Sequence, residues 1–110
     1  MTDNENKLLY RIALTQIDGV GDITARNLLT IIGSAEEIFA SKRKSLSAIR
    51  GLSARVIDEI LSRKALVKAE QELTFVEKHK LQMLFIDDAA YPQRLLECSD
   101  APILLYYKGN

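Results

Sequence analysis

The sequence has few of the residues on which disulfide-rich domains and zinc sites depend. Its 110 residues include one cysteine, Cys98, and one histidine, His79. A single cysteine excludes an internal disulfide framework, and this pair cannot supply the usual Cys/His ligand sets of a zinc site. We therefore expect no bound metal ion.

Long apolar runs are also missing. No stretch approaches the ~20 uninterrupted apolar residues of a membrane-spanning helix, and residues 1–7 are polar where a signal peptide would turn apolar. We therefore expect a cytoplasmic protein with no membrane partner. Disorder is excluded, because 47% of the residues are apolar and the formal net charge is zero. The composition is that of one soluble domain that can bury a core.

The zero net charge conceals a local excess of basic residues. Segment 41–64 has seven basic and two acidic residues, whereas segment 1–40 has three basic and six acidic residues. Such an excess attracts a phosphate backbone or an acidic partner. A solvated basic surface without a partner explains it equally well.

The spacing of apolar residues predicts a helical domain over residues 1–80. Apolar positions about four residues apart place a first helix from Lys7 to about Gln16. A tight connection follows at 17–21, and we expect the carboxylate of Asp22 to cap the second helix. A glycine then ends that helix at position 33.

Two short helices are predicted next. Ser34 and Glu37 form a capping box, which predicts a helix over residues 35–40. A basic connection at 42–44 then leads into a short helix over 45–49.

A single long helix is predicted over residues 53–80, a segment without Gly or Pro. Its apolar residues recur at every fourth position, so the apolar stripe rotates around a helix of ~3.6 residues per turn. We expect its first half to pack on the N-terminal helices and its second half to pack on the segment after position 80. A kink is the competing explanation.

The connection between the first two helices recurs later in the chain. Residues 17–21 read Ile-Asp-Gly-Val-Gly and residues 49–53 read Ile-Arg-Gly-Leu-Ser, so both follow the pattern apolar, any residue, glycine, apolar, small. We call these segments the first hairpin and the second hairpin. The repeat indicates an internal duplication of a helix-turn-helix unit.

Residues 81–110 differ in kind. Short apolar runs at 82–86 and 103–107 predict two strands, and the proline of Tyr91-Pro92 predicts the first position of a helix between them. Strand, helix and strand in succession are typical of an opening α/β sheet, and two strands alone are marginal. We therefore expect a larger domain to begin here, with the exposed second strand favouring a homodimer or strand exchange.

The first hairpin is expected to direct backbone N–H groups outward at a helix N-terminus, from Gly19, Gly21 and Asp22. Such groups form an anion site. In the structural alternative, the two glycines serve only backbone geometry and close helix approach. The second hairpin has Ser53 in place of the second glycine, but Arg50 restores positive charge there.

No residue pattern points to catalysis. His79 lies in a charged stretch at a helix end, and Cys98 has no neighbouring basic pair to activate it. A turn after a strand explains Asp87-Asp88 better than a metal site does. The sequence also lacks a nucleophile elbow and a glycine-rich dinucleotide or P-loop motif. We expect no enzyme activity and no cofactor.

The first hairpin, with Thr24 and Arg26 after it, resembles the helix-hairpin-helix motif, which grips DNA phosphates without reading the sequence. One departure is Asp22-Ile23, where strong DNA binders of this kind carry a basic residue. The resemblance and the basic segment together give one set of candidate DNA-binding residues: Gly19, Val20, Gly21, Arg26, Lys42, Arg43, Lys44, Arg50, Gly51 and Arg55.

A more specific resemblance lies in the C-terminal part of the chain. Residues 91–96 read Tyr-Pro-Gln-Arg-Leu-Leu, and residues 100–109 read Asp-Ala-Pro-Ile-Leu-Leu-Tyr-Tyr-Lys-Gly. With Leu8-Leu9-Tyr10 and the first hairpin, this pattern resembles the family of DNA-processing protein A, also called Smf.

That resemblance implies both a fold and a function. The fold would be mainly α, a helix-hairpin-helix or sterile-alpha-motif-like (SAM-like) domain at 1–80 followed at 81–110 by the first strands of a truncated Rossmann-like domain. The chain would be the accessory module of a mediator that binds single-stranded DNA and helps load the RecA recombinase in natural transformation, without a cofactor. The main DNA pocket and the dimer contacts would belong to the Rossmann-like domain.

Two other functions are open at the level of sequence. The helical domain could recruit a recombinase or a regulator as a protein-interaction module with no DNA contact of its own. It could also be the helix-hairpin-helix domain of a DNA repair nuclease or ligase.

Overall fold

The computed structural model describes residues 3–108. Within this range the chain forms seven helices and two strands, which confirms the predicted mainly helical fold with a short C-terminal sheet. The elements in chain order are α1 (Asp3–Thr15), α2 (Asp22–Ile32), α3 (Ala35–Ala40), α4 (Arg43–Ser47), α5 (Ala54–Ser62), α6 (Lys64–Lys78), β1 (Leu81–Phe85), α7 (Gln93–Leu96) and β2 (Leu104–Lys108).

An apolar core organised around α1 holds the elements together. This helix packs along α6 and also contacts α2, α3 and β2. Among residues 3–108 no polar or charged residue is buried, so removal of apolar surface from water drives the packing. The largest fully buried side chains come from several elements: Ile12, Leu14, Leu28, Ile38, Leu46, Ile60 and Ile103.

The duplication predicted from the sequence is visible in the backbone. Six residues separate α1 from α2, and six separate α4 from α5. Each connection closes with the same hydrogen bond: the N–H of Val20 donates to the Ile17 carbonyl at 3.1 Å, and the N–H of Leu52 donates to the Ile49 carbonyl at 3.4 Å. The two hairpins are therefore copies of one turn.

Glycine is required once in each turn. Gly19 has a φ of 86° and Gly51 a φ of 87°, a region that side-chain-bearing residues rarely adopt. The second small residue of each hairpin is instead the N-cap of the next helix, with extended backbone: Gly21 has φ −93° and Ser53 has φ −74°. Positive φ is therefore confined to the first of the two glycines in the first hairpin.

The cap predicted for α2 is also wrong. Asp22 is the first helical residue rather than the cap, and Gly21 caps the helix without a side-chain hydrogen bond. The Asp22 carboxylate instead accepts a hydrogen bond from the distant backbone N–H of Ile103. The capping box of α3 is as predicted: the Ser34 hydroxyl accepts from the N–H of Glu37 at 3.1 Å.

The predicted long helix is two helices. The competing explanation, a kink, is therefore closer to the structure than a straight helix is. Arg63 separates α5 from α6 with left-handed backbone, at φ 61° and ψ 16°. Its guanidinium donates to the Phe39 carbonyl at 3.3 Å and to the Tyr10 hydroxyl at 3.1 Å. The break lets α5 pack on α3 and α4 while α6 runs along α1, which one straight helix could not do.

Two short helices begin at other residues than predicted. α4 starts at Arg43, because the Lys42 carbonyl accepts from the N–H of Leu46 at 3.1 Å, so part of the expected basic connection is helical. Pro92 is the N-cap of α7 rather than its first residue, since its ψ of 122° is extended.

The two strands form an antiparallel pair. Leu81 lies opposite Lys108 and Phe85 opposite Leu104, each strand within one residue of its predicted start. The sequence pattern does not indicate whether the two strands pair in parallel or antiparallel. Gly109, expected to end the second strand, lies outside the described residues. The division into domains at 1–80 and 81–110 stays a prediction.

The tandem turns generate a matched pair of variants. Gly19→Ala and Gly51→Ala each force a Cβ into positive φ, at a cost of about 1–2 kcal/mol. We expect Gly19→Ala to lose more stability, because its Cβ would lie 3.2 Å from Val56 Cγ2, whereas no heavy atom lies within 4 Å at Gly51. Urea unfolding measures both losses.

A double variant supplies the control for this comparison. Combining Gly19→Ala with Val56→Ala removes the close contact, so the double variant should lose less free energy of unfolding than the sum of the two single losses. Equal losses for Gly19→Ala and Gly51→Ala would contradict a packing difference between the hairpins.

Candidate nucleic-acid interface

The first hairpin lies beside the C-terminal segment of the chain. The backbone N–H of Ile103 donates to the Asp22 carboxylate at 3.2 Å. Gly21, Pro102 and Leu104 help to line a cavity of about 290 Å³ between the hairpin and this segment. The first hairpin therefore has a structural partner within the same chain.

Arg26, predicted as a DNA contact, is engaged in the same docking. Its guanidinium donates to the Leu96 carbonyl at 2.8 Å and to the Cys98 carbonyl at 2.6 Å. These carbonyls are at the C-terminal end of α7, where a helix favours a cation. More than sixty residues separate donor from acceptors, so no local sequence signal could reveal the contact.

Acidic groups dominate the surroundings of the first hairpin. Asp18 pairs with Lys68 at 3.8 Å, and Glu72 lines the cavity with Asp22. Burial, with a smaller contribution from the Glu72 carboxylate, raises the pKa of Tyr106 to about 12. This concentration of negative charge disfavours a phosphate at the first hairpin.

The C-terminal segment also holds Tyr91, the first residue of the motif at 91–96. Tyr91 is buried, and its hydroxyl donates to the Pro102 carbonyl. Desolvation on burial raises the pKa of Tyr91, although the nearby Arg26 guanidinium acts in the opposite direction. The hydroxyl therefore stays protonated and available as a donor over the ordinary pH range.

The second hairpin faces solvent and carries the basic side chains. Arg50 and Gly51 are exposed in the turn, and Arg55 is exposed in the first turn of α5. Lys42 and Lys44 are exposed at the start of α4. None of these four cations has a hydrogen bond or ion pair with another side chain in the part of the chain that the structure describes. We call them the free cations.

Two further basic residues of segment 41–64 are already engaged. Arg43, a predicted DNA contact, forms an ion pair with Asp58 although both side chains are exposed. Arg63 holds the break between α5 and α6. The basic excess thus divides into the two engaged arginines, the four free cations, and Lys64, which is exposed at the start of α6.

The N-terminus of α5 adds a favourable dipole to the second hairpin. Ser53 caps this helix, with its hydroxyl accepting from the N–H of Val56 at 3.2 Å. The remaining amides of the first turn have no acceptor within the helix and favour an anion. The serine that weakened the sequence motif is therefore a regular cap and leaves the turn intact.

A cleft opens between α2 and the second hairpin. It has a volume of about 250 Å³. No sequence signal pointed to it, because its walls come from the two separate copies of the repeat. Its lining residues are Thr24, Asn27, Leu28, Thr30, Ile31, Ile49, Arg50, Gly51 and Leu52.

Four residues that the sequence excluded as catalytic or metal-binding lie in ordinary structural positions. Asp88 accepts from the N–H of Phe85 at 2.7 Å, and Arg11 pairs with Asp87 at 3.4 Å. Cys98 is exposed, and His79 ends α6 with its ring 4.2 Å from that of Phe75. Within residues 3–108 no cluster of His, Cys, Asp or Glu could hold a metal ion, and no helix has the length and apolar character to cross a membrane.

The docking of the C-terminal segment can be tested by hydrogen exchange. Asp22→Ala removes the acceptor of the Ile103 N–H, so we expect the exchange rate of this amide to rise by about tenfold, which corresponds to ~1.4 kcal/mol of lost protection. Asp22→Asn keeps an acceptor oxygen and should raise the rate less. The measurement is amide exchange followed by NMR.

Asp18→Ala is the control, since it removes a carboxylate from the same hairpin that pairs only with exposed Lys68. An Ile103 amide that exchanges at the same rate in all three variants would contradict the docking.

The comparison with protein families agrees with this architecture. A family model described as a SAM-like helix-hairpin-helix tandem matches residues 12–66, half of the chain. The match runs from α1 through both hairpins to the start of α6, which is the duplicated region. No curated protein and no solved structure matches the chain. On its sequence match and its paired turns, the chain belongs to the SAM-like helix-hairpin-helix tandem family.

Proposed function

We propose that the chain binds the sugar–phosphate backbone of nucleic acid through the second hairpin, without reading the base sequence. The observation that carries this proposal is the exposure of Lys42, Lys44, Arg50 and Arg55 around a glycine turn at a helix N-terminus. Exposed cations beside unpaired backbone amides supply charge and hydrogen-bond donors for phosphate oxygens. Contacts of this kind position a nucleic acid and carry no sequence information.

Divergence between the two copies supports the choice of the second hairpin. Asp18 in the first copy is replaced at the equivalent position by Arg50 in the second, and Ile23 is replaced by Arg55. The same turn geometry is thus surrounded by acidic groups in one copy and by cations in the other. A phosphate would be repelled at the first hairpin and attracted at the second.

The finer form of the proposal names the nucleic acid and the parent protein. We propose a non-catalytic accessory module of a cytoplasmic DNA-processing mediator that binds single-stranded DNA and assists loading of the RecA recombinase during natural transformation. The resemblance of residues 91–96 and 100–109 to DNA-processing protein A supports it. So does the docking of that motif on α2 through Arg26. In this proposal, β1 and β2 begin a Rossmann-like domain.

Salt dependence tests the nucleic-acid proposal. Arg50→Ala and Arg55→Ala should each reduce the log–log slope of affinity against salt concentration by about 0.7 on single-stranded DNA, because each removes one phosphate contact. Fluorescence anisotropy of a labelled oligonucleotide, titrated at several salt concentrations, gives the slopes.

Lys7→Ala is the matched control, because it removes an exposed cation from α1, away from the second hairpin. Its slope should equal that of the unchanged chain. Absence of any affinity at low salt would overturn the proposal for this chain, and equal slopes for all variants would overturn the assignment to the second hairpin.

A second candidate function, protein interaction through the sheet, rests on the exposure of β2. Tyr106 and Tyr107 are 39% and 45% exposed, which is high for aromatic side chains on a strand. The described sheet has two strands, so each strand has one edge without a neighbour in it. Such an edge is a template for pairing with a strand of a second copy, as a homodimer or by strand exchange.

Sedimentation at increasing protein concentration tests this candidate. We expect reversible self-association that Tyr107→Lys weakens, because a charge on an edge strand opposes pairing. Phe75→Lys is the control, since it replaces an aromatic residue of similar exposure on α6. A chain that remains monomeric at high concentration would contradict the candidate, and so would equal weakening by both variants.

A further inference from the structure

We propose that the cleft between α2 and the second hairpin receives one unpaired nucleobase, so that the chain prefers single strands with exposed bases. This inference rests on the proposed backbone binding at the second hairpin and adds a second element of recognition to it. The cleft is continuous with the phosphate-binding residues, because Arg50 and Gly51 belong both to the exposed turn and to the cleft wall. A strand held by its phosphate at this turn would therefore have its adjoining base at the mouth of the cleft.

The cleft exists because the two copies of the repeat pack differently. In the first copy, a Cβ at Gly19 would lie 3.2 Å from Val56, so the turn and the helix of the other copy are in close contact. The equivalent pair in the second copy is Gly51 and Thr24, and there no heavy atom lies within 4 Å of a Cβ at the glycine. Threonine and valine have the same branched shape. The difference is therefore one of helix separation rather than of side-chain size.

The size of the cleft favours a single ring system. Its volume of about 250 Å³ lies below the range of roughly 300–1,000 Å³ that is usual for pockets of drug-sized ligands. A single base fits such a space. The base pairs of a duplex would also be held in their stack, out of reach of the cleft.

The lining suits a flat, partly polar ring. Ile49 and Leu52 supply partly exposed apolar surface above the buried Leu28, and Ile31 adds a side chain that is 60% exposed at the edge. Burial of this surface under a base would remove apolar area from water. The cleft also contains the Asn27 amide.

Polar groups in the wall are available for hydrogen bonds to a base edge. The side chains of Thr24 and Asn27 have no hydrogen-bond partner in the described range 3–108, whereas the Thr30 hydroxyl donates to the Arg26 carbonyl at 3.0 Å. An amide offers both donors and acceptors, so it can pair with more than one kind of base. We therefore expect base contact without strong sequence preference.

The neighbouring charge distinguishes this occupant from a protein side chain. An apolar peptide segment would fit the apolar floor, but it would gain nothing from the exposed guanidinium of Arg50 at the rim. A nucleotide uses both features, with its phosphate on the rim and its base in the cleft.

The test compares two labelled single strands of equal length, an oligothymidylate and an oligomer whose backbone carries no bases. We expect the chain to bind the oligothymidylate about threefold to tenfold more tightly, which is less than stacking on an aromatic side chain provides, because the residues that line the cleft are not aromatic. Asn27→Phe fills the cleft and should bring the affinity for oligothymidylate down to that for the abasic strand, while leaving the abasic affinity unchanged.

Two further variants control this experiment. Gln71→Phe places the same side chain on an exposed position of α6, outside the cleft, and should change neither affinity. Asn27→Ala removes the amide without filling the cleft and should reduce the preference for bases only in part. Thermal unfolding confirms that each variant is folded.

The outcomes separate this inference from the function on which it rests. Binding of both strands with equal affinity, or an equal effect of Asn27→Phe and Gln71→Phe, would overturn the base cleft while leaving backbone binding in place. Failure of both strands to bind at low salt would overturn the proposed function itself, and the cleft with it.

Discussion

Burial of α1 is the contact on which the rest of the structure depends. Ile12, Ala13 and Leu14 are fully buried, and α6, α3, α2 and β2 all contact this helix. One helix can be covered on several sides only if the chain reverses direction repeatedly within a short length. The hairpins and the break at Arg63 provide those reversals. The positive φ at Gly19 and at Arg63 is thus part of the conformational cost of enclosing α1 with a chain of this size.

The repeat supplies two equivalent turns, and the chain uses them for different purposes. The first turn is packed against α5 through Val56, and its neighbour Asp22 holds the C-terminal segment by a backbone amide. The second turn has no such contact at Gly51 and is surrounded by exposed cations. Because both turns share one backbone geometry, the difference between them lies in side-chain chemistry and helix spacing. One copy stabilises the fold, and the other presents the candidate interface.

Local patterns in the sequence were sufficient to predict the hairpins and the bounds of α2 and α3, although α1 begins at Asp3, four residues before the predicted Lys7. Ser34 with Glu37, the glycine that ends α2, and the repeated hairpin pattern all act within a few residues, so each could be interpreted without knowing the fold. The position of the break at Arg63 could not, because the sequence there favours helix and distant contacts with Phe39 and Tyr10 help to stabilise another conformation. Tertiary packing decides such positions against local propensity.

The candidate site shows the same division. Charge counts indicated a basic excess in segment 41–64, but they could not distinguish a free cation from one that already has a partner. Arg26 and Arg43 find acceptors in other elements, and the cleft has walls from both copies of the repeat. These features depend on how separate elements are placed relative to one another, which no single helix encodes by itself.

The absence of close packing at Gly51 has a consequence for how such a domain can evolve. A surface turn can exchange its exposed flanking residues without endangering folding, provided that the glycine and the core-packed Ile49 and Leu52 remain. The first hairpin has no such freedom, because a change there alters its contacts with α5 and with the C-terminal segment. After an internal duplication, this unequal constraint keeps the first copy for stability. The second copy can then acquire a new binding specificity.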